Sequence, residues 1–90
     1  MTAKITLYTS ARCPFCVRAE RLLEAKGVVA VERVRVDLNP VRRAEMVARC
    51  GDESVPQIYI GTLHVGGYRE LAALDRTGEL DRLLTGEAAK

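Results

Sequence analysis

The chain has 90 residues, 14 of them Lys or Arg and 12 Asp or Glu, for a formal net charge of +2, and 48% are hydrophobic. This is enough for one modest core and leaves no room for a second domain, so residues 1–90 are expected to form a single unit. Scattered, nearly balanced charge argues against nucleic acid, and the lack of an apolar run long enough to span a bilayer argues against the membrane.

The first apolar segment, Ile5-Thr6-Leu7-Tyr8, reads as a strand. It follows Met1-Thr2-Ala3-Lys4 with no signal-peptide pattern, so a reducing, cytoplasmic setting is expected. Next comes Cys13-Pro14-Phe15-Cys16, where strand gives way to amphipathic helix. The thiolate is the reactive form of cysteine, and a helix start favours negative charge through its free N–H groups and dipole. Cys13 falls just ahead of the helix, beside the cation Arg12, and Pro14 suits the first helical position. Cys16 instead joins an apolar stripe with Ala19, Leu22 and Leu23, opposite Arg18, Arg21 and Glu24. Cys13 is thus expected to be an exposed nucleophile and Cys16 a sheltered resolving thiol.

Gly27 stops the helix, and Val31 to Leu38 alternates as a strand, with Val34, Val36 and Leu38 on its apolar face. Asn39-Pro40 opens a second helix whose apolar stripe is Val41, Ala44, Val47 and Ala48. Strand, helix, strand in this length forms a right-handed parallel crossover. Ile58-Tyr59-Ile60 and Leu63-His64-Val65 are joined by Gly61-Thr62 as an antiparallel hairpin. After Gly66-Gly67, a helix from about Tyr68 to Arg76 points Leu71 and Leu74 inward, and a last short helix carries Leu80, Leu83 and Leu84. Residues 85–90 read as a frayed tail. The chain is therefore α/β: βαβ then ββα, a four-stranded mixed sheet flanked by helices.

Through Cys13-Pro14-Phe15-Cys16, Ser54-Val55-Pro56-Gln57 and His64-Val65-Gly66-Gly67-Tyr68, the chain resembles a dithiol glutaredoxin of the bacterial type from about Lys4 to Leu84. The resemblance implies a thioredoxin fold and an enzyme that reduces glutathione mixed disulfides and protein disulfides, with glutathione as electron donor and no metal. It implies catalysis by Cys13 and Cys16, and glutathione contacts from Arg12, Phe15, Val55, Pro56, Gly67, Tyr68, Arg69 and Glu70. It also implies a cis Val55-Pro56 peptide that leaves the Val55 backbone free to bond an extended peptide, a mode indifferent to side chains. Gly67 and the following helix start would receive a carboxylate, and Glu70 the glutathione ammonium.

The chain also departs from its relatives. Many have Lys upstream of the first Cys, two acids after Gly-Gly and a basic residue before Val-Pro. Here stand Ser10-Ala11-Arg12, Arg69-Glu70 and Gly51-Asp52-Glu53-Ser54, so Arg12 or Arg49 has to supply the anion contact. Cys50 reads as a spare thiol, or one open to glutathionylation or to pairing between chains, and His64 as a satisfied structural histidine.

The expected protein is a monomer whose partners are glutathione and glutathionylated or disulfide-bonded proteins, ribonucleotide reductase among the candidates. One alternative is a redoxin of the same fold that takes electrons from thioredoxin reductase and serves ribonucleotide reductase. Another, from a different class, is a metal module: zinc held by Cys13, Cys16, Cys50 and His64, or, as in some relatives, a glutathione-ligated iron–sulfur cluster bridging two chains through Cys13. Against the zinc set, Cys50 and His64 lie apart on different elements, whereas zinc ligands usually come in close pairs.

Overall fold

The computed structural model describes residues 4–28 and 30–85. In chain order these form β1 (Ile5–Thr9), α1 (Pro14–Ala25), β2 (Val31–Arg35), α2 (Pro40–Cys50), β3 (Gln57–Ile60), β4 (Leu63–Gly66), α3 (Tyr68–Thr77) and α4 (Glu79–Thr85). The sheet order is β2-β1-β3-β4, with β1 parallel to β2 and antiparallel to β3, and β3 antiparallel to β4. This is the expected four-stranded mixed sheet. No described helix is long and apolar enough to cross a membrane.

The central strands β1 and β3 are buried along their whole length, because helices cover both faces of the sheet. Alternation sorts their side chains. Ile5, Leu7, Ile58 and Ile60 pack against Ala19 and Leu23 of α1, Leu71 of α3, and Leu80 and Leu84 of α4. Tyr8 and Tyr59 face the other way, into a second cluster with Val34, Val36 and Met46. Lys26, at the end of α1, pairs with Asp75 at 2.5 Å and Asp81 at 3.3 Å, tying three helices together.

Three local expectations are corrected. The second strand ends at Arg35 rather than Leu38. Val36 is still buried, but Leu38 is 71% exposed, because its N–H turns back to the Arg35 carbonyl at 3.2 Å. The Asp37 carboxylate locks this turn by accepting from the Arg35 guanidinium and from the Ala11 N–H at 3.2 Å. Helix α2 presents Met46, with Val47 and Cys50 at its margin, while Val41 is 75% exposed and Ala44 and Ala48 face solvent. The reason is Tyr8, whose buried hydroxyl must find partners. It donates to Glu45 at 2.6 Å and accepts from Arg49 at 2.9 Å, so the helix sets that polar edge over the Tyr8 hydroxyl while the two side chains stay exposed. Thr85 belongs to α4 rather than to a tail, and the rest of the expected tail, 86–90, lies outside the described residues.

Candidate active site

The turn from β1 into α1 places the two thiols. Arg12 adopts a left-handed backbone (φ 57°), an uncommon conformation for a side-chain-bearing residue, and the preceding Ala11 N–H is held by Asp37. Cys13 then caps α1 in extended conformation, with Pro14 opening the helix. Its Sγ accepts the Cys16 N–H at 3.2 Å, so one of the free donors of the helix start points at the sulfur, and the first turn contains no acidic residue. Both the dipole and this N–H favour a thiolate at Cys13. Cys16 is 2% exposed and Cys13 partly exposed, and the two are joined as a disulfide with Cα atoms 5.2 Å apart. The expected difference in exposure is present.

Facing this pair is the cis Val55-Pro56 peptide, whose Val55 carbonyl oxygen lies 3.8 Å from Cys13 Sγ. Val55 lies outside the strand ladder, and among the described residues its N–H and C=O take no main-chain partner. A groove of about 320 Å³ lies beside it, lined by Phe15, Val55, Pro56, Gly67, Tyr68, Arg69 and Glu70 among others. Phe15, 49% exposed, stands 6.3 Å from the Tyr68 ring, with the Arg18 guanidinium 5.3 Å from its own ring centre.

Seven of the residues expected to contact glutathione thus share one groove. Arg12 does not line it. It lines a separate depression with Ser10, Cys13, Cys16 and Glu20. The Glu70 carboxylate folds back to accept the Gly67 N–H at 2.8 Å, serving as the side-chain cap that Gly67 lacks. Glycine suits position 66 because φ there is +113°, and a Cβ would also press on the Glu70 carboxylate at 3.0 Å.

Arg49 is already committed, bonded to Tyr8 and lying 3.9 Å from the Tyr59 ring centre. The acids before Val55 are committed too. Asp52 accepts the Ser54 N–H at 2.8 Å, which holds its carboxyl below the ordinary carboxylate range, and Glu53 faces Arg43 at 3.6 Å. Arg69 has no ion-pair partner among the described residues and remains the available cation of the groove.

Cys50, Asp52, Ser54, Gln57 and His64 also line the groove. Asp52, Ser54, Gln57 and His64 stand in or beside the motifs already noted in the sequence, but those motifs give none of them a contact role, and Cys50 reads there chiefly as a spare thiol. Asp52-x-Ser54 is a readable turn signal, since Asp commonly bonds the backbone two residues on. Gln57 and His64 become neighbours only through the hairpin register. Among the described residues, no three His, Cys, Asp or Glu side chains are gathered so as to hold a metal ion. Cys50 Sγ turns to the Asp52 carbonyl at 3.4 Å and His64 Nε2 to Gln57 at 2.7 Å, so the four-residue metal set is not assembled.

Comparison with known proteins agrees with this geometry. The glutaredoxin family model matches residues 5–65. The chain is similar to a glutaredoxin of Neisseria meningitidis, 49% identical over 80 residues that cover 89% of this chain and 94% of the relative. It is also similar to glutaredoxin 3 of Escherichia coli, 45% identical over 82 residues that cover 91% and 98%. The solution structure of a Brucella melitensis glutaredoxin superposes with a TM-score of 0.80 at 42% identity, covering 92% of this chain and 89% of that one. Likeness of this extent, in fold as in sequence, means that the chain belongs to the glutaredoxin family and is a thiol–disulfide oxidoreductase.

Proposed function

We propose that this chain, acting as one unit over residues 1–90 in a reducing cytoplasm, uses glutathione to reduce glutathione mixed disulfides and protein disulfides. The observation that carries this reading is the 3.8 Å approach of Cys13 Sγ to the Val55 carbonyl, which sets a nucleophile beside unpaired backbone. An extended peptide bonded there would bring its own sulfur to Cys13 whatever its side chains.

On a mixed disulfide, the Cys13 thiolate attacks the glutathione sulfur. The substrate disulfide breaks, the target thiolate leaves and takes a proton from water, and glutathione stays on Cys13. A second glutathione thiolate attacks that glutathionyl sulfur, releasing glutathione disulfide and restoring the Cys13 thiolate. On a protein disulfide, Cys13 forms the mixed disulfide with the target and Cys16 then attacks the Cys13 sulfur. The target leaves reduced, the Cys13–Cys16 disulfide forms, and two glutathiones reduce it. The sheltered position of Cys16 suits the second role, because it meets only what Cys13 has already captured.

In the groove, Phe15 and Tyr68 supply apolar walls and Val55-Pro56 the backbone edge. Beyond the Gly67 N–H, which Glu70 holds, the remaining N–H groups at the start of α3 favour a carboxylate of the ligand, with Arg69 as its counter-ion. The Glu70 carboxylate meets the ammonium. Arg12, which shares a separate depression with Cys13, acts as a cation near the attacking sulfur.

A coupled assay tests the electron source. With a glutathionylated peptide, turnover is expected in the presence of glutathione, glutathione reductase and NADPH. Turnover supported by thioredoxin reductase but not by glutathione would overturn the proposal.

A further inference from the structure

Val55 is held in place from its two sides. Before it, the Ser54 N–H is fixed by Asp52 at 2.8 Å. After it, Gln57 reaches back three residues, its Nε2 donating to the Ser54 carbonyl at 3.0 Å and standing 3.4 Å from the Ser54 hydroxyl. Gln57 is 4% exposed, so its amide has to be satisfied by protein groups.

A glutamine amide can face either way, and its orientation here has a determinant. The Ser54 carbonyl only accepts, so the NH2 group must point to it, leaving Gln57 Oε1 toward His64 Nε2 at 2.7 Å. His64 must therefore carry its proton on Nε2 and donate it. With that donor present, the flipped amide would set donor against donor and acceptor against acceptor. The His64 ring, on an exposed residue, is supported on one face. His64 lies opposite Tyr59 across the hairpin, just beyond the irregularity in register between Ile58 and Tyr59. It stacks on Tyr59 at 4.8 Å with 24° between planes, and the Arg49 guanidinium lies 3.9 Å from the same tyrosine ring centre.

We infer that His64 is a positioning residue for peptide recognition: through Gln57 it fixes the Ser54 carbonyl and hence the backbone of Val55 beside Cys13. It lines the groove, but it acts on Val55 through Gln57 and not on the reacting sulfurs. Its effect is confined to substrates that use the Val55 backbone, so the inference rests on the peptide-docking reading proposed above.

The test is kinetic. His64→Phe keeps an aromatic ring to stack on Tyr59 and removes the donor, while His64→Gln returns an N–H at similar reach. With a glutathionylated peptide, His64→Phe should raise KM about two- to tenfold, the range spanned by one neutral hydrogen bond, with kcat nearly held. His64→Gln should recover most of the loss. Gln57→Met should raise KM as much, and the double variant His64→Phe/Gln57→Met no further, since one residue acts through the other. The second-order rate of the reduced protein with bis(2-hydroxyethyl) disulfide, which has no peptide backbone, should stay at the parent value in His64→Phe. A parent-like KM in His64→Phe, additive losses in the double variant, or equal loss on the peptide-free disulfide would overturn the positioning role while leaving the docking reading intact. A parent protein that reacts no better with the peptide disulfide than with the peptide-free one would overturn the docking reading, and the positioning role with it.

Discussion

Glu70 is assigned two tasks that two substitutions separate. Its Oε1 accepts the Gly67 N–H at 2.8 Å and caps α3, and its charge is proposed to meet the ammonium of glutathione. Glu70→Ala removes both. Losing a side-chain cap costs about 0.5–2 kcal/mol. For a domain of this size each kcal/mol lowers Tm by roughly 4–8 °C, so a fall of several degrees is expected. Glu70→Gln keeps an oxygen for Gly67 and loses only the charge, whose interaction with the helix start is worth about 0.3–1 kcal/mol. Its Tm should lie between those of the parent and the alanine variant. Glu70 is exposed, so its pairing with the ammonium is worth about 0.2–1 kcal/mol, a rise in KM for glutathione mixed disulfides of at most about fivefold. That rise should appear in both variants and fade with added salt. Thermal melts and steady-state kinetics on the two proteins decide the matter. A parent-like KM in Glu70→Gln would remove the carboxylate from ligand recognition, and equal Tm values for the two variants would show that Gly67 does not depend on the cap.

Two further outcomes follow from the packing. Tyr8→Phe removes the hydroxyl that joins Glu45 and Arg49 and should cost about 1.5–3 kcal/mol in denaturant unfolding, with Val41→Ser near neutral because Val41 is exposed. Asp37 is held well below the usual carboxylate range, chiefly by Arg35 and then by the Ala11 N–H. A depressed folded pKa adds stability above the unfolded value, near 4, which is lost as pH falls toward the folded one. The Tm gap between parent and Asp37→Asn should therefore be widest near neutral pH and shrink steadily below about pH 4; a gap independent of pH would contradict the assignment.

The order of elements could be read from the sequence because its signals are local. Cys13-Pro14 and Asn39-Pro40 open helices, Gly61-Thr62 turns a hairpin, and Ile5, Leu7, Ile58 and Ile60 alternate with Tyr8 and Tyr59. What escaped reading depends on distant partners. The face of α2 is chosen by the Tyr8 hydroxyl, 37 residues from Glu45, and the turn after β2 by an Asp37 bond to Ala11, 26 residues away. The site divides in the same way. The thiol pair, Val55-Pro56 and Gly67 to Glu70 lie in short motifs, whereas Gln57 meets His64 only once the hairpin has formed, and Arg12, though next to Cys13 in sequence, lines a different depression.

The measurement that bears most directly on the central claim compares Cys13→Ser and Cys16→Ser on two substrates, a glutathionylated peptide and a protein disulfide. Cys13→Ser should lose both activities, because a serine hydroxyl is scarcely ionised near neutral pH and cannot replace the thiolate at the start of α1. Cys16→Ser should keep glutathione-dependent release from the peptide, since a second glutathione can still attack the mixed disulfide on Cys13, and should lose most turnover of the protein disulfide. Cys13→Ser remaining active while Cys16→Ser fails on both substrates would contradict the account, because it would make the buried sulfur the attacking one.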